Sequence, residues 1–213
     1  MSSNVVRHRD MMRWERRLWA RGLRYVAGVD EAGRGPLAGP VVAAAVVFQP
    51  STRIEGVQDS KALSPAIREE LYERITAEAV SYAVGIVDHC VIDAINILQA
   101  TYRAMHEALR NLACTPDYVL VDGNRFTDTG IPFTTLVDGD ARCFSIAAAS
   151  IVAKVTRDRL MVEYDRLYPG YGFARHKGYA TPEHRQAIRE RGLCEIHRRS
   201  FVLKPQLELA FET

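Results

Sequence analysis

The chain is predicted to fold as an α/β domain with a five-stranded mixed sheet flanked by helices. Three observations predict it. Five short apolar runs rich in β-formers recur along the chain, segments of helical period lie between and after them, and 47% hydrophobic content in 213 residues is enough for one full core. Residues 10–21 read as a short amphipathic helix, with Trp14, Leu18 and Arg21 at helical spacing. Residues 25–30 and 41–48 are two strands separated by a loop holding Gly33, Gly35, Pro36, Gly39 and Pro40. Ser64-Pro65 supplies an N-cap and a first-turn proline for a helix over 66–79. A strand over 80–87 follows, then one long helix over 91–112 with Ile92, Ile95, Leu98, Tyr102, Met105 and Leu109 on one face. Residues 117–121 form a strand ending at Asp122-Gly123, and 133–137 a short strand ending near Asp138-Gly139-Asp140. A small-residue helix over 144–167 is read as buried at its start and charged towards its end, and Thr181 caps a last helix over 182–191. No internal repeat or low-complexity tract interrupts this order.

Charge is unevenly spread although the net is only +2. Residues 7–24 carry seven Arg against two acids, residues 25–141 eight Arg and Lys against sixteen acids, and residues 142–204 thirteen Arg and Lys against six. An acidic centre with basic flanks suits a metal site that works on a polyanion. No stretch reaches the ~18 apolar residues of a membrane span, and residues 1–24 lack the apolar core of a secretory signal. The four cysteines (Cys90, Cys114, Cys143, Cys194) are scattered without a Cys-x-x-Cys pair, which argues against a zinc site or disulfide framework and for a reducing cytoplasm.

The segment most loaded with chemistry is Asp30-Glu31-Ala32-Gly33-Arg34-Gly35-Pro36. Two adjacent carboxylates at a strand end repel each other and call for a cation. Hard divalent ions such as Mg²⁺ or Mn²⁺ prefer such oxygen ligands. The Gly-Arg-Gly beside them offers backbone N–H groups and a guanidinium to a phosphate. Asp122 at the end of the fourth strand and Asp140 before the small-residue helix can join Asp30 and Glu31, since ends of neighbouring strands converge in space. Such a set can hold two ions about 3.5–4 Å apart for in-line displacement at phosphorus. A nucleotide-binding loop is the poorer reading, because no Walker lysine pattern or Gly-x-Gly-x-x-Gly follows the first strand.

Asp-Glu-Ala-Gly-Arg-Gly-Pro-Leu-Ala-Gly-Pro-Val at 30–41 resembles the signature of ribonuclease HII. So do Asp59-Ser60-Lys61, Val121-Asp122-Gly123, Gly139-Asp140, the run from Ile146 to Asp158, and His176-Lys177-Gly178-Tyr179. The matches run in order over about residues 25–192. The resemblance implies the ribonuclease H fold with a small helical C-terminal segment. It also implies a metal-dependent endoribonuclease that cuts RNA paired to DNA, and cuts 5′ of single ribonucleotides embedded in duplex DNA to leave 3′-hydroxyl and 5′-phosphate ends. By motif match, Asp30, Glu31 and Asp122 are the metal ligands for Mn²⁺ or Mg²⁺, and Asp140 is the fourth active-site carboxylate. Gly33, Arg34 and Gly35 contact the 2′-hydroxyl and adjacent phosphate, and Tyr179 senses the RNA–DNA junction. These roles suit the residues: a 2′-OH distinguishes RNA from DNA at a single site, and glycine lets backbone approach it closely.

Lys61 is read as a phosphate contact, with Lys154, Arg175, His176 and Lys177 as weaker ones. His184 and His197 receive no role. Residues 1–24 are expected as an N-terminal helical extension, 25–203 as the catalytic domain and 204–213 as a tail. The expected partner is nucleic acid, with no membrane; no protein partner is assigned, and the expected state is a monomer. The segment 206–211 lacks the spacing and aromatic pair of a sliding-clamp binding peptide.

Overall fold

The computed structural model describes residues 10–58, 60 and 63–201. Lys61, Asp59 and the segment 206–211 lie outside the described residues. The helices are α1 (Arg13–Trp19), α2 (Pro65–Glu78), α3 (His89–Ile95), α4 (Ile97–Arg110), α5 (Phe144–Leu167), α6 (Phe173–His176) and α7 (Pro182–Arg191). The strands are β1 (Val26–Ala32), β2 (Val41–Val47), β3 (Ser81–Val87), β4 (Tyr118–Asp122) and β5 (Phe133–Leu136), joined in one sheet of order β3-β2-β1-β4-β5. The β3–β2 and β2–β1 pairs are antiparallel, and β1–β4 and β4–β5 are parallel. The expected mixed five-stranded sheet flanked by helices is therefore present.

Helices cover both faces. On one, Ala100, Ala104, Met105, Ala108 and Leu109 of α4 pack on Ala27, Val29, Ala43 and Ala45. On the other, Ala147, Ala148, Ile151 and Val152 of α5 pack with Ala44 and Val46. Because β2 is covered on both sides, all its residues are buried, whereas the edge strand β3 alternates buried and exposed positions. Two glycines set how closely the helices approach. A Cβ on Gly28 would lie 2.1 Å from the Ser145 carbonyl carbon, and one on Gly85 2.0 Å from the Ala104 oxygen. Both positions exclude any side chain.

The caps at α2 and α7 form as expected. Ser64 accepts from Ile67 N–H and Thr181 from His184 N–H, each ahead of a proline. The expected single helix over 91–112 is instead two, α3 and α4, divided at Asn96. Asn96 has φ 68° and ψ 163°, far from helical geometry, and its Oδ1 accepts from Leu98 and Gln99 N–H at 3.0 and 3.1 Å. The side chain thus substitutes for the helical hydrogen bonds that it interrupts. The start of α5 is capped from a distance: Glu15 of α1, itself buried, accepts from Ser145 N–H and Oγ–H, each at 2.8 Å. No helix of the described residues is long and apolar enough to cross a membrane.

Candidate active site

Register brings the acids together. In the parallel β1–β4 pair Val29 lies beside Val121, so Asp30 and Asp122 are the next residues on adjacent strands. Side-chain alternation points Asp30 to the same face as Gly28, which is the face covered by α5. Asp30 is 4% exposed there. Its carboxylate accepts from the Ser150 hydroxyl of α5 and, at 2.7 Å, from Glu31 N–H. Ser150 in turn shares a 2.9 Å hydrogen bond with Ser60. Asp122 Oδ1 accepts from Gly139 N–H at 2.7 Å, which ties the end of β4 to the turn carrying Asp140. Glu31, one residue past Asp30, pairs with Arg34 at 3.3 Å.

Electrostatically this half of the site is unsatisfied. Burial first, and then the charges of Glu31 and Asp122, push the Asp30 carboxyl well above the usual carboxylate range. Hydrogen bonds from Ser150 and Glu31 N–H oppose the rise without cancelling it. A hard divalent cation would remove both penalties, so the donor set of Asp30, Glu31 and Asp122 fits Mg²⁺ or Mn²⁺. Among the described residues no three His, Cys, Asp or Glu side chains are already drawn together as a cage. Glu31 leans to Arg34 and Asp122 to Gly139 N–H instead.

The acids open into a cleft of about 260 Å³ lined also by Gly33, Arg34, Gly35, Ser60, Ser150, Lys154 and Tyr179. Gly33 has φ +99°, and Gly35 lies against the Tyr179 ring, 3.7 Å from where its Cβ would stand. Two buried arginines hold this loop from behind. Arg157 of α5, 1% exposed, donates Nε to Pro40 O at 2.9 Å, Nη1 to Lys177 O at 3.0 Å and Nη2 to Ala38 O at 3.2 Å. Arg198, 2% exposed, donates Nε to Gly39 O at 2.9 Å and Nη1 to Arg34 O at 3.0 Å. Its Nη2 donates to Gly33 O at 2.6 Å and Pro40 O at 3.1 Å. Burial lowers both guanidinium pKa values, yet arginine remains a cation at neutral pH. Among the described residues neither forms a salt bridge. Carbonyl dipoles, with the Tyr179 ring 6.0 Å from Arg157 and the Phe201 ring 5.0 Å from Arg198, solvate two positive charges behind the loop.

The protein-family model for ribonuclease HII matches residues 27–204. The chain belongs to the ribonuclease HII family. It is 54% identical to the ribonuclease HII of Ruminiclostridium cellulolyticum over 198 residues, covering 93% of this chain and 78% of that one. It is 55% identical to that of Geobacter metallireducens over 194 residues, covering 88% and 91%. Among solved structures, ribonuclease H2 of Pyrococcus horikoshii superposes with TM-score 0.69 at 31% identity, covering 83% of this chain and 93% of that one. Ribonuclease HII of Archaeoglobus fulgidus, solved in complex with PCNA, superposes with TM-score 0.72 at 29% identity, covering 84% and 96%. The fold is therefore the ribonuclease H fold. The family consists of endoribonucleases acting on RNA in RNA–DNA hybrids, and the chain is a hydrolase of that class.

Within this ribonuclease HII chain the motif residues fall into two groups. Asp30, Glu31, Gly33, Arg34, Gly35, Asp122 and Tyr179 all line the cleft. Asp140 is buried in a 3₁₀ turn (Gly139–Ala141) beside them and does not line it. Of the weaker phosphate candidates, Lys154 reaches the cleft while paired to Asp158 at 2.6 Å, and Arg175 is paired to Glu183. His176 is buried and bonds backbone, which corrects its reading as a phosphate contact. Sequence reasoning missed Ser150, Arg157 and Arg198. Ser150, Lys154 and Arg157 stand at i, i+4 and i+7 on α5, a helical stripe that was the available signal. Arg198 carried none, because it lies beyond the last helix.

Proposed function

We propose that this chain hydrolyses the RNA strand of RNA–DNA hybrids and cuts 5′ of single ribonucleotides embedded in duplex DNA, leaving 3′-hydroxyl and 5′-phosphate ends. The observation that carries the proposal is the meeting of Asp30, Glu31 and Asp122 with the Gly33–Gly35 loop and Tyr179 in one cleft. Mn²⁺ or Mg²⁺ would be held by Asp30, Glu31 and Asp122, with Asp140 as the fourth active-site carboxylate. When bound, two such ions supply activation of a water and stabilisation of the leaving oxygen.

The chain's own residues do the rest. The Gly33 and Gly35 backbone approaches the 2′-hydroxyl without side-chain bulk, and Arg34 and the loop N–H groups hold the adjacent phosphate. Arg157 and Arg198 fix that loop's carbonyls inward and add positive potential under the phosphate. The Tyr179 ring, 44% exposed, is presented to the sugar on the neighbouring nucleotide. Glu31 is paired with Arg34 through Oε1, and a turn of this carboxylate towards an ion would free the Arg34 guanidinium for the phosphate. Lys61 completes the phosphate contacts in this reading. A larger groove of about 640 Å³ that shares Lys154 with the cleft, lined by Arg68, Arg166, Arg175 and Lys177 as well as by Glu69, Asp158 and Glu163, is the place this reading gives to the flanking duplex. The catalytic domain in this proposal is 25–203, with 1–24 as an extension and 204–213 as a tail, acting as a cytoplasmic monomer.

The test is cleavage of a labelled DNA duplex containing one ribonucleotide, with Mn²⁺, with Mg²⁺ and with EDTA. The expected result is a single metal-dependent cut 5′ of the ribonucleotide and none in an all-DNA duplex. Cutting of both duplexes, or of neither with either metal, contradicts the proposal.

A further inference from the structure

Beneath the exposed ring of Tyr179 lies a group of buried histidines that the proposed reaction does not use. His176, His184 and His197 are all buried, and the His176 and His184 rings stack at 4.4 Å with 15° between planes. The backbone above them is held in an unusual path: Lys177 has φ 52° and Gly178 φ 81°, consecutive left-handed residues just before Tyr179. Such conformations persist where surrounding contacts enforce them.

The shortest backbone hydrogen bonds at each end of the group, taken with the Cys194 thiol 3.1 Å from His197 Nδ1 as a second donor to it, assign a proton to each ring. At one end Cys194 N–H can only donate, and it points at His197 Nδ1 at 3.0 Å, so that nitrogen is bare. The proton of His197 then sits on Nε2, 3.1 Å from His184 Nε2. At the other end Tyr179 O can only accept, and it lies 2.9 Å from His184 Nδ1, so that nitrogen carries the proton. His184 Nε2 is left bare to accept from His197. The two ends, argued independently, agree in the middle. The chain runs Cys194 N–H to His197, His197 Nε2–H to His184, and His184 Nδ1–H to Tyr179 O. The 3.3 Å approach of His197 Nδ1 to Cys194 O is then a contact and not a hydrogen bond. His176 follows the same logic: Gly178 N–H donates to its Nδ1 at 3.2 Å, so its Nε2–H donates to Tyr171 O at 2.7 Å. All three rings are neutral, and burial, as the largest influence, lowers the pKa of each, that of His184 to about 4.

We propose that His184, held as its Nδ1–H tautomer by His197, is a positioning residue that fixes the Tyr179 backbone and so sets how strictly the cleft discriminates an isolated ribonucleotide from a continuous RNA strand. The inference rests on the junction-sensing role proposed above for Tyr179. His184 touches no substrate, and its action passes through the Tyr179 carbonyl. The same carbonyl also accepts from Thr181 N–H at 2.8 Å, so loss of the imidazole loosens the loop without unmaking it.

Two substitutions separate this role from mere packing. In H184N the amide N–H falls where Nδ1–H was and keeps the bond to Tyr179 O. In H184Q the amide falls at the Nε2 position, facing His197, and that bond is lost. Each is assayed in the full chain with Mn²⁺ on a duplex holding one ribonucleotide and on a uniform RNA–DNA hybrid. H184Q is expected to lower kcat on the single-ribonucleotide duplex about tenfold, with little change on the uniform hybrid, and H184N to stay within about threefold of the parent on both. H184Q is expected to add nothing on a Tyr179→Ala background. Equal losses in H184N and H184Q, equal losses on both substrates, or no loss in H184Q overturn the proposal. If Tyr179→Ala itself leaves the discrimination intact, the reading of Tyr179 fails first and the positioning role with it. Nitrogen chemical shifts of the unmodified protein test the chain without activity. A protonated Nδ1 and bare Nε2 are expected for His184, and the opposite tautomer overturns the proposal.

Discussion

The two halves of the cleft are built on opposite electrostatic plans. The carboxylate half sets Asp30, Glu31 and Asp122 at the ends of β1 and β4, where the charges of Glu31 and Asp122 press on the buried Asp30. The recognition half, residues 33–40 and 176–179, is held from beneath by two buried guanidiniums and two buried imidazoles, each bonded to backbone. In the proposed function the carboxylate half would be completed by cations, whereas the recognition half has its geometry built in by the protein's own hydrogen bonds. Stability and activity should therefore respond oppositely to damage in the two halves.

The largest expected effect is in the carboxylate half. Asp30→Asn or Asp122→Asn should lower cleavage by 10³-fold or more, about 4 kcal/mol of barrier. The Asp30→Asn variant should melt no lower than the parent, because it removes a buried repelling charge. Paired thermal melts and cleavage assays check both parts; a lower melting temperature would break the contrast.

In the recognition half the order reverses. Arg198→Leu leaves the carbonyls of Gly33, Arg34 and Gly39 without the donors they have here. The expected cost is roughly 3 kcal/mol, given ~1–3 kcal/mol for each buried polar group left unsatisfied. That corresponds to about 6–12 °C in melting temperature. A variant that melts like the parent would show the guanidinium to be dispensable to the loop.

These two halves were also unequally legible in the sequence. Asp30, Glu31 and Asp122 stand where β-rich runs end in glycine turns, so strand pattern and carboxylate chemistry coincide and mark them. The glycines of the loop were legible for the same reason. Arg157 and Arg198 were not, because an arginine in a helix or loop reads as solvent-facing unless the carbonyls around it are known. The histidines were unassignable because their partners are backbone atoms that only the tertiary fold supplies. The division of 91–112 into two helices was hidden because Ile92, Ile95, Leu98, Tyr102, Met105 and Leu109 keep helical spacing across Asn96, although Ile95 and Leu98 are exposed at the break. Glu15 escaped for lack of any sequence link to the helix it caps, 130 residues away.

A smaller effect lies outside both halves. Glu15→Ala removes the acceptor for Ser145 N–H and Oγ–H at the start of α5 and should cost about 1–2 kcal/mol, as helix caps do. Cleavage at a temperature where the variant is folded should be little changed. A large loss of activity there would tie α1 to the chemistry, which the contrast between the halves does not allow.

The smallest effect is a slope with pH. His184 has its pKa lowered from 6.5 to about 4, chiefly by burial, so the unfolded chain takes up a proton that the folded one refuses. Its contribution is complete above pH 6.5 and is lost as pH falls towards 4. His176 and His197 act in the same direction, while the raised Asp30 acts in the opposite one. Melts of the Asp30→Asn variant from neutral to mildly acidic pH should therefore fall more steeply than those of the parent. Adding His184→Asn should flatten the curve, and an unchanged slope would remove His184 from the account.

The most direct test of a division between cutting and reading is made on one preparation of Asp30→Asn. Its affinity for a duplex holding one ribonucleotide and for the all-DNA duplex is measured beside the parent's in EDTA, and cleavage of the former in Mg²⁺. The expected result is cleavage abolished, with the preference for the ribonucleotide duplex within about threefold of the parent's. Loss of that preference together with cleavage would contradict the account, because the carboxylate would then be reading as well as cutting.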